Sequence, residues 1–368
     1  MVVKTRPRPQ DARPRVSVVV PCYNYGHFLP VCVRTILDQD GVDVDVLIVD
    51  DASPDGSDAV AHRLAAEDPR VRVIAHETNK GHIATYNEGL AAIDGEYVVL
   101  LSADDLLAPG SLALSAGLLR AHPEVGLVYG FAPVFSDVPP PARTAVRSWT
   151  IWTGPEWVEQ ICRRGGNPVS TPEAVVRTSL MRELVGYDAR LPHSADFLLW
   201  LKAAARASVG RVNGADLAYY RVHGGNMHTE QFAGAATDIA ERRRAFEIFL
   251  DDDGHRLPDP ARLREIMRRA LAREALVTAN QVFEHGQVAT SDEGADTLER
   301  LGALAEEILP GATGSRPGRA YQRQLTRAKN GQGPVVPPAV STKVDQVIFH
   351  LRWRRWRRNG TLGAVRSI

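Results

Sequence analysis

Two acidic pairs in this 368-residue chain sit where side chains of their type can do chemistry. Asp50-Asp51 closes the apolar run VDVLIV, and Asp104-Asp105 follows YVVLL after Ser102-Ala103. Two further polar clusters come directly after apolar runs: Pro21-Cys22-Tyr23-Asn24 after VSVVV, and Asn79-Lys80-Gly81-His82 shortly after VRVIA. Four carboxylates near one crevice repel one another and need cations or hydrogen-bond donors. A divalent hard cation with oxygen ligands is the simplest solution, and a diphosphate can complete its shell. Taken singly, either pair reads equally well as a helix cap or turn, and the stretch DASPDGS is good turn chemistry by itself. Their joint placement at successive strand ends favours the chemical reading.

The elements that must hold these clusters are regular. β-Branched apolar runs start at Val16, Val44, Val71, Tyr97 and Val125, at separations of 28, 27, 26 and 28 residues. Helix-like stretches fill the gaps over 28–38, 57–67, 83–92 and 109–120. This period is the size of a βαβ unit, and strands apolar on both faces suit a sheet covered by helices on both sides. The expectation is an α/β fold with a mostly parallel, doubly wound central sheet, whose ligands bind beyond the carboxyl ends of the strands. No G-x-G-x-x-G follows the first strand, which argues against an ordinary dinucleotide-binding domain.

Beyond residue 130 the pattern loosens. A Pro-rich stretch (131–145) leads to mixed short elements over 149–225, with a helix over 195–207 and a strand over 216–222. Residues 235–310 read as helical, and the Gly-, Pro- and Ser-rich 310–341 as a linker or extended arm. The expected division is a basic segment 1–15, a ligand-binding βαβ half 16–130, the second half of the same domain 131–230, a helical region 231–310, a linker 311–341 and a Trp/Arg tail 342–368.

Six ordered blocks resemble the family-2 glycosyltransferases, nucleotide-sugar enzymes of the GT-A fold: VSVVVPCYNYGHFL (16–29), VLIVDDASPDGS (46–57), NKGHIATYNEGL (79–90), LLSADDLL (100–107), SADFLLWLKAA (194–204) and YYRVHGGNM (219–227). The resemblance spans residues 16–227 and leaves the helical C-terminal third outside it. It implies a Rossmann-like GT-A domain and inverting transfer of a sugar from a nucleoside-diphosphate sugar to an acceptor hydroxyl. Pro21, Tyr23, Asp51, Lys80, Gly81, His82 and Asp104 are then expected at the nucleotide, with Asp50 supporting the loop and Asn87 either at the site or holding its loop. Asp104, Asp105 and His223 are expected at a divalent metal, Mg2+ or Mn2+, which would neutralise the departing diphosphate. Asp196 takes the place of the catalytic base that accepts the acceptor's proton.

Two departures from the family pattern keep other readings open. Ser102 replaces the first carboxylate of the metal motif, and Ala195 replaces the Glu that usually precedes the base. A catalytically silent glycan- or nucleotide-binding relative is therefore one alternative, and a sugar nucleotidyltransferase another. UDP or dTDP sugars are the first donors expected, and the acceptor is a glycan, a lipid-linked sugar or a small molecule. Trp149, Trp152 and Trp157 could stack on a sugar face or pack, and packing is the expectation for most of them.

The formal charge is zero, 44 basic against 44 acidic residues, but it is unevenly spread. Residues 1–15 carry five basic residues against Asp11, and residues 346–368 carry six arginines and no acid. The body between is acidic. The tail's Trp and Arg residues suit peripheral contact with an anionic membrane surface; no nucleic-acid module accompanies them. Residues 235–310 offer helices for a homo-oligomer. Three cysteines at no metal-ligand spacing, no apolar run of membrane-span length and no secretory segment lead to the expectation of a cytoplasmic protein, or one on the cytosolic face of a membrane.

Overall fold

A computed structural model describes residues 3–5, 13–224, 234–286 and 292–359. The chain divides into two compact units, residues 1–158 with 167–226, and residues 159–166 with 227–368.

The first unit holds twelve strands among its described residues. They are β1 (Val3–Thr5), β2 (Arg15–Cys22), β3 (Asp43–Asp50), β4 (Val71–Ala75), β5 (Tyr97–Leu100), β6 (Leu106–Leu107), β7 (Val125–Tyr129), β8 (Val134–Phe135), β9 (Ser148–Trp152), β10 (Val175–Arg177), β11 (Ser208–Asn213) and β12 (Ala218–Arg221). Nine form one sheet in the order β1-β9-β11-β7-β10-β5-β2-β3-β4, and β6-β12-β8 form a small second sheet. β4, β3, β2 and β5 pair in parallel, as do β7 and β11. β10 enters between β5 and β7 antiparallel to both, so these two strands still point the same way. The sheet is thus mostly parallel in direction, as expected, while the three-residue β10 breaks the simple doubly wound order. Its pairing with β5 and β7 is non-local and left no periodic signal in the sequence.

The helices of this unit are α1 (Leu29–Leu37), α2 (Ser57–Glu67), α3 (His82–Ala91), α4 (Ser111–Ala121), the start of α5 (Gly154–Arg164), α6 (Thr178–Leu184) and α7 (Ala195–Ala204). α1 shows why they pack: its buried Leu29, Cys32, Val33 and Ile36 recur at i, i+3, i+4 and i+7, one apolar stripe of a helix. They join Val16, Val18, Val20, Val46 and Ile48 in one core. All three cysteines are buried free thiols.

The second unit is helical: α8 (Ala235–Asp252), α9 (Pro260–Glu284), α10 (Asp292–Ile308), α11 (Arg316–Lys329) and α12 (Pro338–Asn359). α9 packs against α8, α10 and α11 through Leu263, Met267, Leu271, Ala275 and Phe283. Residues 310–341, whose composition reads as a linker, instead contain α11, started by the Ser315 hydroxyl accepting the Gly318 N–H. Arg6 and Arg8, the end of the YYRVHGGNM block, residues 360–368, and the side chains of Phe349, Trp353 and Trp356 lie outside the described residues.

Gly89 lets α3 approach the sheet. A Cβ there would lie 2.4 Å from Val19 Cγ1 and 3.1 Å from Val49 Cγ2, both on rigid strands. Gly89→Ala is expected to destabilise the protein by about 1–3 kcal/mol from overpacking, less the ~1 kcal/mol gained in helix propensity. Urea denaturation measures this, and a net gain in stability would contradict the close packing.

Candidate active site at the strand ends

The loop after β2 is built on Asp50. Its carboxylate accepts the Ser53 N–H at 3.0 Å and the Ser53 hydroxyl at 2.6 Å, and Ser53 Oγ in turn accepts the Asn24 N–H at 3.0 Å. Asp50 therefore supports the loop rather than facing a ligand. Pro21 is buried, and Tyr23 projects with 47% of its surface exposed.

Asp51 is buried, and its oxygens are already engaged. Oδ1 accepts from Lys80 N–H (2.8 Å) and lies 2.7 Å from His76 Nδ1, while Oδ2 accepts from Gly81 N–H (2.9 Å). Burial by itself would raise its pKa, but these hydrogen bonds outweigh it and hold the carboxyl below its ordinary value. Asp51 thus orders the Asn79–Gly81 loop. The Lys80 amine pairs with Glu88 at 2.8 Å, and His76 Nε2 lies 3.1 Å from the same carboxylate oxygen. His76 links two acids through a side chain that is almost wholly buried. It escaped the sequence reading because it belongs to no block; its place just after β4 was the only available signal.

Gly81 takes φ +84°, a conformation that favours glycine, and precedes α3. His82 Nε2 lies 3.1 Å from the Pro192 carbonyl, and its ring meets Tyr86 edge-on. Asn87 is structural: its amide donates to the Tyr187 carbonyl (2.9 Å) and accepts the Tyr187 N–H (2.7 Å).

The second acidic pair splits by orientation. Asp104 Oδ2 lies 3.1 Å from His223 Nε2. Asp105, expected beside it as a metal ligand, is buried, and its Oδ1 accepts the Arg221 N–H at 2.8 Å. Burial raises the pKa of Asp104 against the bond to His223, and burial followed by the charge of Asp104 raises that of Asp105. Arg221 Nε donates to the Asp104 carbonyl at 2.8 Å, and its guanidinium lies 4.7 Å and 4.4 Å from the ring centres of Phe28 and Phe135. That role of Arg221 was not legible beforehand, although it stands two residues before His223.

Among the described residues no three His, Cys, Asp or Glu side chains are grouped to hold a metal. The donors that do face each other, one carboxylate and one imidazole, fit a divalent cation that takes the rest of its shell from water and diphosphate oxygens.

Asp196 stands in the first turn of α7. Ser194, at the N-cap, makes no side-chain capping bond. Asp196 Oδ1 accepts the Phe197 N–H at 2.6 Å, and Oδ2 accepts from Asn167 Nδ2 at 3.1 Å and Thr171 Oγ1 at 3.4 Å. Burial pushes its carboxyl up to about 6 against these three donors. Tyr86 and Tyr220 are both raised, first by burial and then by charges that include Asp104 and Asp196. Asp104 and Asp196 therefore act on the same two phenols. Trp149, Trp152 and Trp157 are buried and pack, as read.

Residues 17–173 match the family described as Glycosyl transferase family 2. Over 195 residues the chain is 30% identical to EpsE, a putative glycosyltransferase of Bacillus subtilis strain 168, covering 52% of this chain and 67% of that one. Other curated relatives are matched over 31% and 64% of their length, so this chain spans less than two thirds of them. Among solved structures, S. aureus TarS 1–349 in complex with UDP-GlcNAc superimposes with a TM-score of 0.58 at 17% identity, covering 86% of this chain and 92% of that one. The mannosyltransferase PcManGT from Pyrobaculum calidifontis, in complex with GDP-Man and Mn2+, gives 0.51 at 20% identity, covering 89% and 88%. The likeness to both is one of fold, the GT-A type.

Behind Asp196, Glu173 is buried and pushed up to about 7, chiefly by burial, against the Ser170 N–H and the charge of Arg211. A carboxyl whose pKa is raised by folding lowers stability as pH climbs from its unfolded value through its folded one. Glu173→Gln removes that dependence. Between pH 5 and pH 8 the wild type should lose about 1–3 kcal/mol relative to the variant, whatever the constant offset between them. Urea denaturation at both pH values checks this; parallel profiles would contradict it.

Proposed function

The chain belongs to glycosyl transferase family 2, and from that premise we propose that it transfers a sugar from a nucleoside-diphosphate sugar to an acceptor hydroxyl with inversion. The observation that carries this reading is Asp196: a partly buried carboxylate pushed up to about 6, ionised at neutral pH yet basic enough to take a proton. As the acceptor oxygen attacks the anomeric carbon, its proton passes to Asp196. The bond from that carbon to the diphosphate breaks, and its electron pair leaves with the nucleoside diphosphate.

The other residues bind and orient. Asp51 and His76 hold the Asn79–Gly81 loop, which offers Gly81 and His82 to the donor, and exposed Tyr23 offers a face for the nucleobase. Asp104 and His223 would hold Mg2+ or Mn2+, which supplies charge neutralisation for the leaving diphosphate. Arg221 keeps the Asp104 backbone in place. The UDP-GlcNAc bound by TarS and the GDP-Man bound by PcManGT support a nucleotide-sugar donor, with uridine and guanosine sugars as the first to try.

Among the described residues no helix is long and apolar enough to cross a membrane. α12 nevertheless shows Val340, Val344, Val347 and Leu351, each more than half exposed, at helical spacing, followed by an Arg-rich end. This arrangement supports peripheral contact with an anionic lipid surface. Vesicles containing phosphatidylglycerol should float with the wild type and not with a variant carrying Glu at Arg354, Arg355, Arg357 and Arg358; equal flotation would remove the contact.

Release of nucleoside diphosphate, screened over donor sugars with Mg2+ or Mn2+ and candidate acceptors, tests the activity. Asp196→Asn should lower turnover about 100- to 10,000-fold with donor affinity unchanged. EDTA should suppress release and Mn2+ restore it, with His223→Ala raising the Mn2+ needed. Donor binding without release under every condition would favour the silent relative, which Ser102 and Ala195 suggest.

A further inference from the structure

The carboxylate of Asp196 is held by a loop that begins 29 residues earlier. Asn167 has an amide whose two ends differ only in what they can bond, so its neighbours decide which end faces the acid. Its Oδ1 accepts the Val169 N–H at 3.0 Å, and Nδ2 is thereby aimed at Asp196 Oδ2, 3.1 Å away. Four residues on, the Thr171 hydroxyl lies 3.4 Å from the same oxygen. The turn carrying Thr171 is closed from both sides. Ser170 N–H donates to Glu173 Oε1 and Glu173 N–H to the Ser170 carbonyl, each at 3.1 Å. The loop thus grips one carboxylate oxygen, while the Phe197 N–H of α7 engages the other.

We propose that Asn167, backed by Thr171, is a positioning residue for transfer: its amide fixes the orientation of the Asp196 carboxylate and favours its ionised form. This rests on the reading of Asp196 as the base. Without such donors a carboxylate this removed from water would stay protonated at neutral pH, and a protonated group cannot accept the acceptor's proton. The groups that face Asp196 from other elements are phenols: Tyr86 of α3, Tyr187 after α6 and Tyr220 of β12 all feel its charge. Burial keeps all three in the neutral form. The favourable pull on the ionised state comes from the Phe197 N–H, the N–H of Asp196 itself and the 167–171 loop, and of these only the loop donors are side chains that substitution can remove.

The titration that tests this needs no substrate. Protein carrying 13Cγ-labelled aspartate is titrated by NMR between pH 4 and pH 8.5, and the Asp196 signal is identified by its loss in Asp196→Asn. The wild-type midpoint should fall near 6. Asn167→Ala should raise it by about 0.5–1 pH unit, and Thr171→Val should raise it as well. Asn167→Asp keeps the size and the Val169 bond but replaces the donor with a second acid, so it should raise the midpoint furthest. Thr171→Ser should leave it at the wild-type value. A midpoint unmoved or lowered in both Asn167 variants overturns the proposal, and thermal melts confirm that each variant is folded. UDP release from UDP-GlcNAc separates the two readings. If Asp196→Asn releases UDP at the wild-type rate, the base assignment fails even where the titration shifts as expected. If Asp196→Asn is inactive and the midpoint is unmoved in the Asn167 variants, only the positioning role falls.

Discussion

Carboxylates taken out of water at the carboxyl edge of a sheet must find donors, and in this protein the donor each one finds decides its part. Asp50 is closed off by Ser53 and holds a turn, while Asp51 accepts from two backbone N–H groups beside His76 and holds the Asn79–Gly81 loop. Asp105 is spent on the Arg221 N–H and fastens β12 beneath the site. Asp104 keeps an oxygen toward His223, and Asp196 is held at intermediate basicity by three donors. Asp50, Asp51 and Asp105 thereby build, and Asp104 and Asp196 are the two to which the proposed function gives chemistry.

The two chemical acids are pushed the same way, by burial, but for different ends. Asp104 sits against an imidazole and next to a second buried acid, an environment that a cation would relieve. Asp196 has amide, hydroxyl and N–H donors and phenols around it, which keeps it a carboxylate that can still accept a proton near neutrality. Asp51, by contrast, is held below its ordinary value and is a poor base, in keeping with a role in shaping a loop.

Much of this was legible in the sequence, for a physical reason. Strands apolar on both faces have no solvent side to blur their ends, so β2 to β5 and β7 begin within a residue of the apolar runs that mark them. The acidic pairs fall at those ends by the same logic. Contacts that depend on distant partners were not legible. The insertion of β10, the reach of Asn167 to Asp196, the stacking of Arg221 between Phe28 and Phe135, and the link from His76 to Glu88 each join residues whose spacing carries no period. Asp105 was read with Asp104 because the pair is adjacent, and its bond from the Arg221 N–H, 116 residues away, left no mark in that spacing. α11 was hidden because one capping serine and a buried Tyr321 organise a stretch whose Gly and Pro content reads as open chain.

The central claim is a single displacement assisted by one base, and the stereochemistry of the product tests it most directly. Following the anomeric proton of the transferred sugar by 1H NMR before and after reaction should show opposite configurations in donor and first-formed product. Retention of configuration would contradict the account, because it would require a nucleophile on the opposite face that Asp196, held as a proton acceptor, does not provide.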